Sequence, residues 1–205
     1  MRMDWTGQTA FILAGGPSVL DLDLSPLKGR RVIAINSAYE TWPQADVCFF
    51  ADARWYFDVY PKQPKFAGQF ATTSTGGPPD VLRFTKIDPA NGIATKRDQL
   101  ALSRTSVSGA VNLARHWGAK AIVLLGVDGK LDGNVRHNHS AKYPWPLVNG
   151  CFDQHRNELA GLSPSLRAER IRLVNCSPVN VIPGWERQTF QEALDSEIRL
   201  LAVAR

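Results

Sequence analysis

The chain has 205 residues, of which 44% are apolar and 21% charged, and a formal net charge of +5. That length suits one domain able to bury a core without disulfide or metal staples, and the ordinary composition excludes disordered and collagen-like chains. The mild positive charge fits an anionic ligand such as a nucleotide. The basic residues are scattered in short pairs such as Arg30-Arg31 and Lys96-Arg97, so no strong nucleic-acid patch is visible.

Three cysteines, Cys48, Cys151 and Cys176, lack CxxC spacing, and an odd count does not suggest a disulfide framework. A reducing, cytoplasmic setting is the expectation. The polar start from Met1 to Thr9 lacks the apolar core of a signal peptide, and no run is long enough to span a bilayer. A homo-oligomer is left open.

In chain order, the first strand expected is Thr9 to Ala14, stopped by the sharp loop Gly15-Gly16-Pro17-Ser18. Strands follow at Arg31 to Asn36 and Asp46 to Ala51, each apolar nearly throughout, as in parallel strands buried on both faces. Arg54 to Tyr60 is aromatic and reads as a short helix or a lid. Pro61 to Pro79 holds turns and a weak strand near Gln69 to Thr73. Val81 to Ile87 reads as a strand near an edge, and Asn91 to Ser103 as an irregular excursion.

Thr105 to Trp117 reads as a helix capped by Ser106 or Ser108, with Val111, Leu113 and Ala114 facing the sheet and Gly118 closing it. Lys120 to Val127 is the strongest strand and is expected to be central. Asp128 to Gly150 has no periodicity and is long for a plain connection. A helix from about Cys151 to Leu159, a strand from Ile171 to Cys176, a loop from Ser177 to Gly184 and an amphipathic helix from Gln188 to Val203 complete the chain. The alternation predicts an α/β fold: a single Rossmann-like domain of three α/β/α layers with a mostly parallel central sheet, the loop at about 128–150 being available as a lid.

In such folds ligands bind beyond the carboxyl ends of the strands, so the residues just after each strand are the candidates. Gly15, Gly16, Pro17 and Ser18 follow the first strand, where glycines let backbone amides approach a phosphate or sugar. The loop matches neither a Walker A motif nor GxGxxG. Asn36 ends the second strand and offers both a donor and an acceptor; a turn or cap residue is the plainer alternative. Asp52 ends the third, placed to orient a sugar hydroxyl, hold a metal or cap the next segment.

Ser106, Ser108 and Gly109 open a helix, whose free N–H groups and dipole favour anions. Asp128 ends the strongest strand and serves either a ligand or its own loop. Asn175 and Ser177 follow the last strand. His137 and His139, two apart, share one side of an extended segment, where one is a candidate general base. His155 or Asp132 could complete a zinc set with them, but no recognisable zinc spacing supports it, and no metal site is assigned. His116, near a helix carboxyl end, is read as structural, with an imidazolium favoured there.

The joint order of GGPS, Asn36, Asp52, TSVSGAVNLARHWGAKAIVLLGVD, HNH and NCSP resembles the family 42 bacterial sialyltransferases. Those chains carry a GxGPS loop, an Asn after the second strand, a Ser-Gly helix start leading to an xxLxGxD strand, and a later histidine. The chain is also similar to the 6-hydroxymethylpterin diphosphokinase-like domain. Small members of that group, many from phages and prophages, are alike in size and wording. The resemblance runs from about Phe11 to Pro178. It implies a Rossmann-like fold, nucleotide contacts from Gly15, Gly16, Ser18, Asn36, Ser108 and Gly109, and a general base at His137 or His139. Gly15 stands where the sialyltransferase loop has Asn, and only Tyr143 stands in place of that family's lid tyrosines.

Three functions follow as expectations. The first is a nucleotide-dependent, glycosyltransferase-like transferase using a nucleotide-sugar donor with no required cofactor: Asp52 positions donor or acceptor, and Arg104 and Lys142 are available to the departing phosphate. The second is an ATP-dependent diphosphokinase-like enzyme with Mg²⁺ held by Asp52 and Asp128. The third is a non-catalytic phage or prophage binding protein with a degenerate nucleotide site, for which Trp55-Tyr56-Phe57 and Tyr60 offer a partner surface. A cleft filled with side chains over Gly15 and Asn36 would favour the third.

Overall fold

The computed structural model describes residues 3–89, 92–129, 138–145 and 150–203. The apolar runs become strands β1 (Thr9–Leu13), β2 (Arg31–Ile35), β3 (Val47–Phe50), β4 (Gln69–Thr72) and β5 (Leu82–Arg83). β6 (Thr85–Ile87), β7 (Gln99–Ala101), α1 (Ser106–His116) and β8 (Ala121–Leu125) follow. The chain continues through α2 (Cys151–Ala168), β9 (Arg172–Asn175), β10 (Glu186–Arg187) and α3 (Phe190–Val203). The main sheet has the order β10-β9-β8-β1-β2-β3-β4-β5, with every neighbouring pair parallel.

Successive strand residues point to opposite faces, which explains why these strands are apolar throughout. On one face Ala10, Ile12, Ile33, Phe49, Ile122 and Leu124 pack against α1 (Val107, Val111, Leu113) and α2 (Leu159, Leu162, Leu166). On the other, Phe11, Leu13, Val32, Phe50, Val123 and Val174 pack against the turns carrying Val19, Leu27, Tyr39 and Trp55, and against Phe190, Ala193 and Leu194 of α3. The architecture is the Rossmann-like three-layer α/β/α fold expected; β8 is an interior strand between β9 and β1, while β1 and β2 hold the middle of the sheet.

Several local expectations change. The stretch read as one edge strand divides: Leu82–Arg83 closes the main sheet, while β6 leaves it to pair with β7 in a separate two-stranded sheet. The excursion at 91–103 is therefore not wholly irregular. It is pinned by fully buried Asn112, whose Oδ1 accepts from Ala94 N (2.8 Å) and Ala101 N (3.3 Å). Arg54 to Tyr60 is a helical turn packed beneath the rim rather than a lid. Trp55 there is 1% exposed, and its indole N–H donates to Ser37 Oγ at 2.8 Å.

Thr105, not Ser106 or Ser108, caps α1; its hydroxyl accepts from Val107 N at 3.2 Å. His116 faces inward, with Nε2 2.8 Å from Gln99 O, and burial lowers its pKa below the ordinary 6.5. Desolvation thus works against the imidazolium expected there, opposed by the hydrogen bond to Gln99 O. α2 runs to Ala168, well past the expected Leu159, and contains Pro164. A proline inside a helix costs about 3 kcal/mol. Burying the side chains of Leu159, Leu162 and Leu166 returns about 1.5–3 kcal/mol each and outweighs it. Among the described residues no helix is long and apolar enough to cross a membrane.

Candidate functional site

β1 is the branch point of the sheet. The chain leaves it for β2 to β5 on one side and later returns to β8, β9 and β10 on the other. The segments leaving β1 and β8 diverge at their carboxyl ends and open a crevice there. The two loops are first laced together. Ala14 N donates to Leu125 O and Gly16 N to Gly126 O, both at 2.8 Å. A Cβ on Gly16 would lie 2.3 Å from Gly126 O and 2.5 Å from Asp128 Oδ2, so close approach of the two loops requires glycine. Asp128 is 5% exposed and accepts from the Ser18 N–H (2.8 Å) and the Ser18 hydroxyl (2.6 Å).

Above these loops lies a cleft of about 850 Å³, within the size range of small-molecule sites. Its floor is Ala14, Gly15 and Gly16 after β1, Ile35 and Asn36 at the end of β2, Asp52 after β3, and Gly126 to Gly129 after β8. Asn36 has φ 50, a left-handed conformation that asparagine tolerates better than most residues. Its Oδ1 is buried without a hydrogen-bond partner among the described residues. Asp52 is held by Arg54, which donates from its backbone N at 2.9 Å and from Nη2 at 2.5 Å. Those side-chain bonds lower the Asp52 pKa and keep the carboxylate ionised.

One wall is helical. Thr105, Ser106 and Val107 bring the start of α1 to the cleft, and Cys151, Phe152, His155, Arg156 and Leu159 line it from α2. Glu158 locks the two together by accepting from Ser103 N (3.1 Å) and Arg104 N (2.6 Å). Burial lowers the His155 pKa, opposed by nearby Glu158 and by a backbone hydrogen bond to Arg104.

The opposite wall is the segment 138–145. Asn138 anchors it: its N–H donates to Gly15 O at 2.9 Å and its Nδ2 to Ala14 O at 2.8 Å. Its carbonyl accepts from Thr41 Oγ1 at 2.9 Å, and the Ser140 hydroxyl donates to Glu40 at 2.7 Å. Tyr143 meets the His139 ring edge-on at 5.8 Å, and burial pushes its phenol pKa up to about 12. The Arg54 guanidinium lies 4.8 Å over the Trp145 ring, tying the far end of the segment to the rim beyond β3.

Of the residues selected from sequence, Gly15, Gly16, Asn36, Asp52, Ser106, Asp128 and His139 line this one cleft. His137 lies outside the described residues. Pro17, Ser18, Ser108, Gly109, Asn175 and Ser177 are not among the lining residues. Pro17 is buried, and Ser18 is turned to Asp128. Ser108 is fully buried, and a Cβ on Gly109 would lie 2.5 Å from the Phe49 ring. Asn175 and Ser177 shape the loop after β9: Asn175 Nδ2 donates to Asn180 O at 2.9 Å, and Ser177 Oγ accepts from Val179 N and Asn180 N.

Sequence reasoning missed the anchor Asn138, the wall residues Trp145, Phe152 and Arg156, and Asn180, whose Nδ2 donates to Val127 O at 3.0 Å. It weighed His155 only for zinc, although the spacing of Cys151, His155 and Leu159 along α2 places them on one helical face. Among the described residues no group of three His, Cys, Asp or Glu side chains is placed to hold a metal ion. Comparison of the chain with protein-family models, curated proteins and solved structures finds no match.

Proposed function

We propose that the chain is a nucleotide-dependent transferase that holds a nucleotide-activated donor, a nucleotide sugar above all, over the ends of β1, β2 and β8. The supporting observation is convergence: the Gly15-Gly16 turn, Asn36 and the amino end of α1 border one open cleft at the branch point of the sheet. The Gly16 and Ser18 amides are committed to Gly126 O and Asp128, so attraction of phosphate falls to the amino end of α1, and Asn36 offers an amide side chain to a base or ribose. The resemblance of the motif order to family 42 sialyltransferases points the same way. The described residues leave a cleft of about 850 Å³ over Gly15 and Asn36, which supports a site that still takes a ligand.

In the proposed reaction a histidine accepts the proton of an acceptor hydroxyl. The hydroxyl oxygen forms a bond to the donor carbon as that carbon's bond to phosphate breaks, and the electron pair leaves with the phosphate. His139 and His155 are the described histidines in the cleft. Burial favours neutral His155, the form able to take a proton at neutral pH. Asp52, kept ionised by Arg54, is suited to orient a sugar hydroxyl.

The test is a thermal-shift panel of nucleoside mono-, di- and triphosphates and nucleotide sugars. A ligand at a hundredfold excess over its Kd adds about 2.7 kcal/mol, a rise in Tm on the order of 5–10 °C for a chain of this size. A panel in which no compound moves Tm removes the proposal.

A further inference from the structure

We infer that the ligand of this cleft carries two separate negative charges, one answered by Arg104 from the helical wall and the other by Lys142 from the opposite wall. The inference rests on the nucleotide reading above and narrows it to ligands such as nucleoside diphosphates. It starts from a charge inventory. Among the described residues, five side chains charged at neutral pH line the cleft: Arg104, Lys142, Arg156, Asp52 and Asp128. Asp52 is neutralised by Arg54, with Nη2 at 2.5 Å. Asp128 already accepts the Ser18 N–H and hydroxyl. Arg156 has a partner in Asp153 at 3.1 Å. Arg104 and Lys142 have no ion-pair partner among the described residues.

Their positions set the geometry. Arg104 precedes α1, whose Val107 and Val111 pack on one face of the sheet. The Glu158 carboxylate, which accepts the Arg104 N–H at 2.6 Å, holds its backbone there. Lys142 lies between Ala141 and Tyr143, which both pack against the cluster on the other face. A ligand seated over the strand ends therefore meets a cation from each side. A ligand with one anionic group satisfies one of them and leaves the other facing the cleft. Two anionic groups satisfy both, and the long stems of Arg and Lys let each head adjust to its own group.

The experiment is titration calorimetry at fixed ionic strength on the full chain and on R104Q, K142Q, the double variant and R97Q, an exposed charge control outside the cleft. The probes are nucleoside monophosphate and diphosphate pairs of four bases, with inorganic phosphate and pyrophosphate as base-free arms. The expected result is a diphosphate preference of roughly tenfold or more in the parent chain, the size of one charge-assisted contact. That preference shrinks in each single variant, vanishes in the double variant and survives in R97Q. Monophosphates bound as tightly as diphosphates, or a preference that persists in the double variant, overturn the inference. Pyrophosphate binding that needs Arg104 and Lys142, with no nucleotide bound, overturns the nucleotide reading and keeps the two-charge assignment. Binding of neither class overturns both.

Discussion

Ser18 and Asp128 stand 110 residues apart in the chain, yet the Ser18 N–H and hydroxyl both donate to the Asp128 carboxylate, at 2.8 and 2.6 Å. This clamp joins the turn after β1 to the turn after β8 and shapes the floor of the cleft. Asp128→Ala leaves both donors without their acceptor and is expected to cost about 1–3 kcal/mol. Ser18→Ala is expected to cost less, since the backbone donor keeps its partner. The two losses are expected not to add, because the residues share one contact. Urea unfolding of the single and double variants measures this, and strict additivity would contradict the clamp.

Gly16 and Gly161 are expected to respond to alanine with opposite signs. At Gly16 the new methyl lands on Gly126 O and the Asp128 carboxylate, so the loops must part, at a cost of about 1–3 kcal/mol. At Gly161, inside α2, nothing lies within 4 Å, and the helix gains roughly 0.5–1 kcal/mol from the lost chain freedom of glycine. Melting temperatures of the two variants decide it: a fall for one, a rise for the other.

Stability is expected to fall on mild acidification. Burial holds the His116 and His155 pKa values below their ordinary 6.5 in the folded chain. The unfolded chain therefore binds more protons between the two values, and stability rises with pH there. The contribution is complete above about 6.5 and is lost as pH falls below it. Denaturant midpoints from pH 7.5 to 5 are expected to decline, and His116→Gln with His155→Gln is expected to flatten that slope. An unchanged slope in the double variant would assign the decline to other groups.

Asn112 is expected to govern the excursion between β5 and α1. Its Oδ1 serves Ala94 N and Ala101 N, and its Nδ2 serves Ala101 O and Ser108 O at 3.1 and 2.8 Å. Asn112→Ala strands these groups in a dry core, at a cost on the order of 3 kcal/mol. Hydrogen exchange is the sharper test. The Ala94 and Ala101 amides are expected to lose protection while those of β1 and β8 keep theirs, because the excursion opens as its own unit.

What the sequence determined by itself is local. Runs such as RVIAI and AIVLL are apolar at both parities, a pattern that only a strand covered on two faces requires, and five of them separated by helix and turn signals specify a parallel α/β sheet. The same reading located the turns after the strands, and with them Gly15, Asn36, Asp52 and Asp128 at the cleft. It could not see α2 past Leu159, because Pro164 argues locally for a break that three buried leucines override. Nor could it separate Ser18, turned to Asp128, from Ser106, which lines the cleft. That choice, like the reach of Asn138 to Ala14 across 124 positions, depends on which strand ends become neighbours. Periodicity reports whether a side chain is buried; only the assembled sheet brings distant turns close enough to choose their partners.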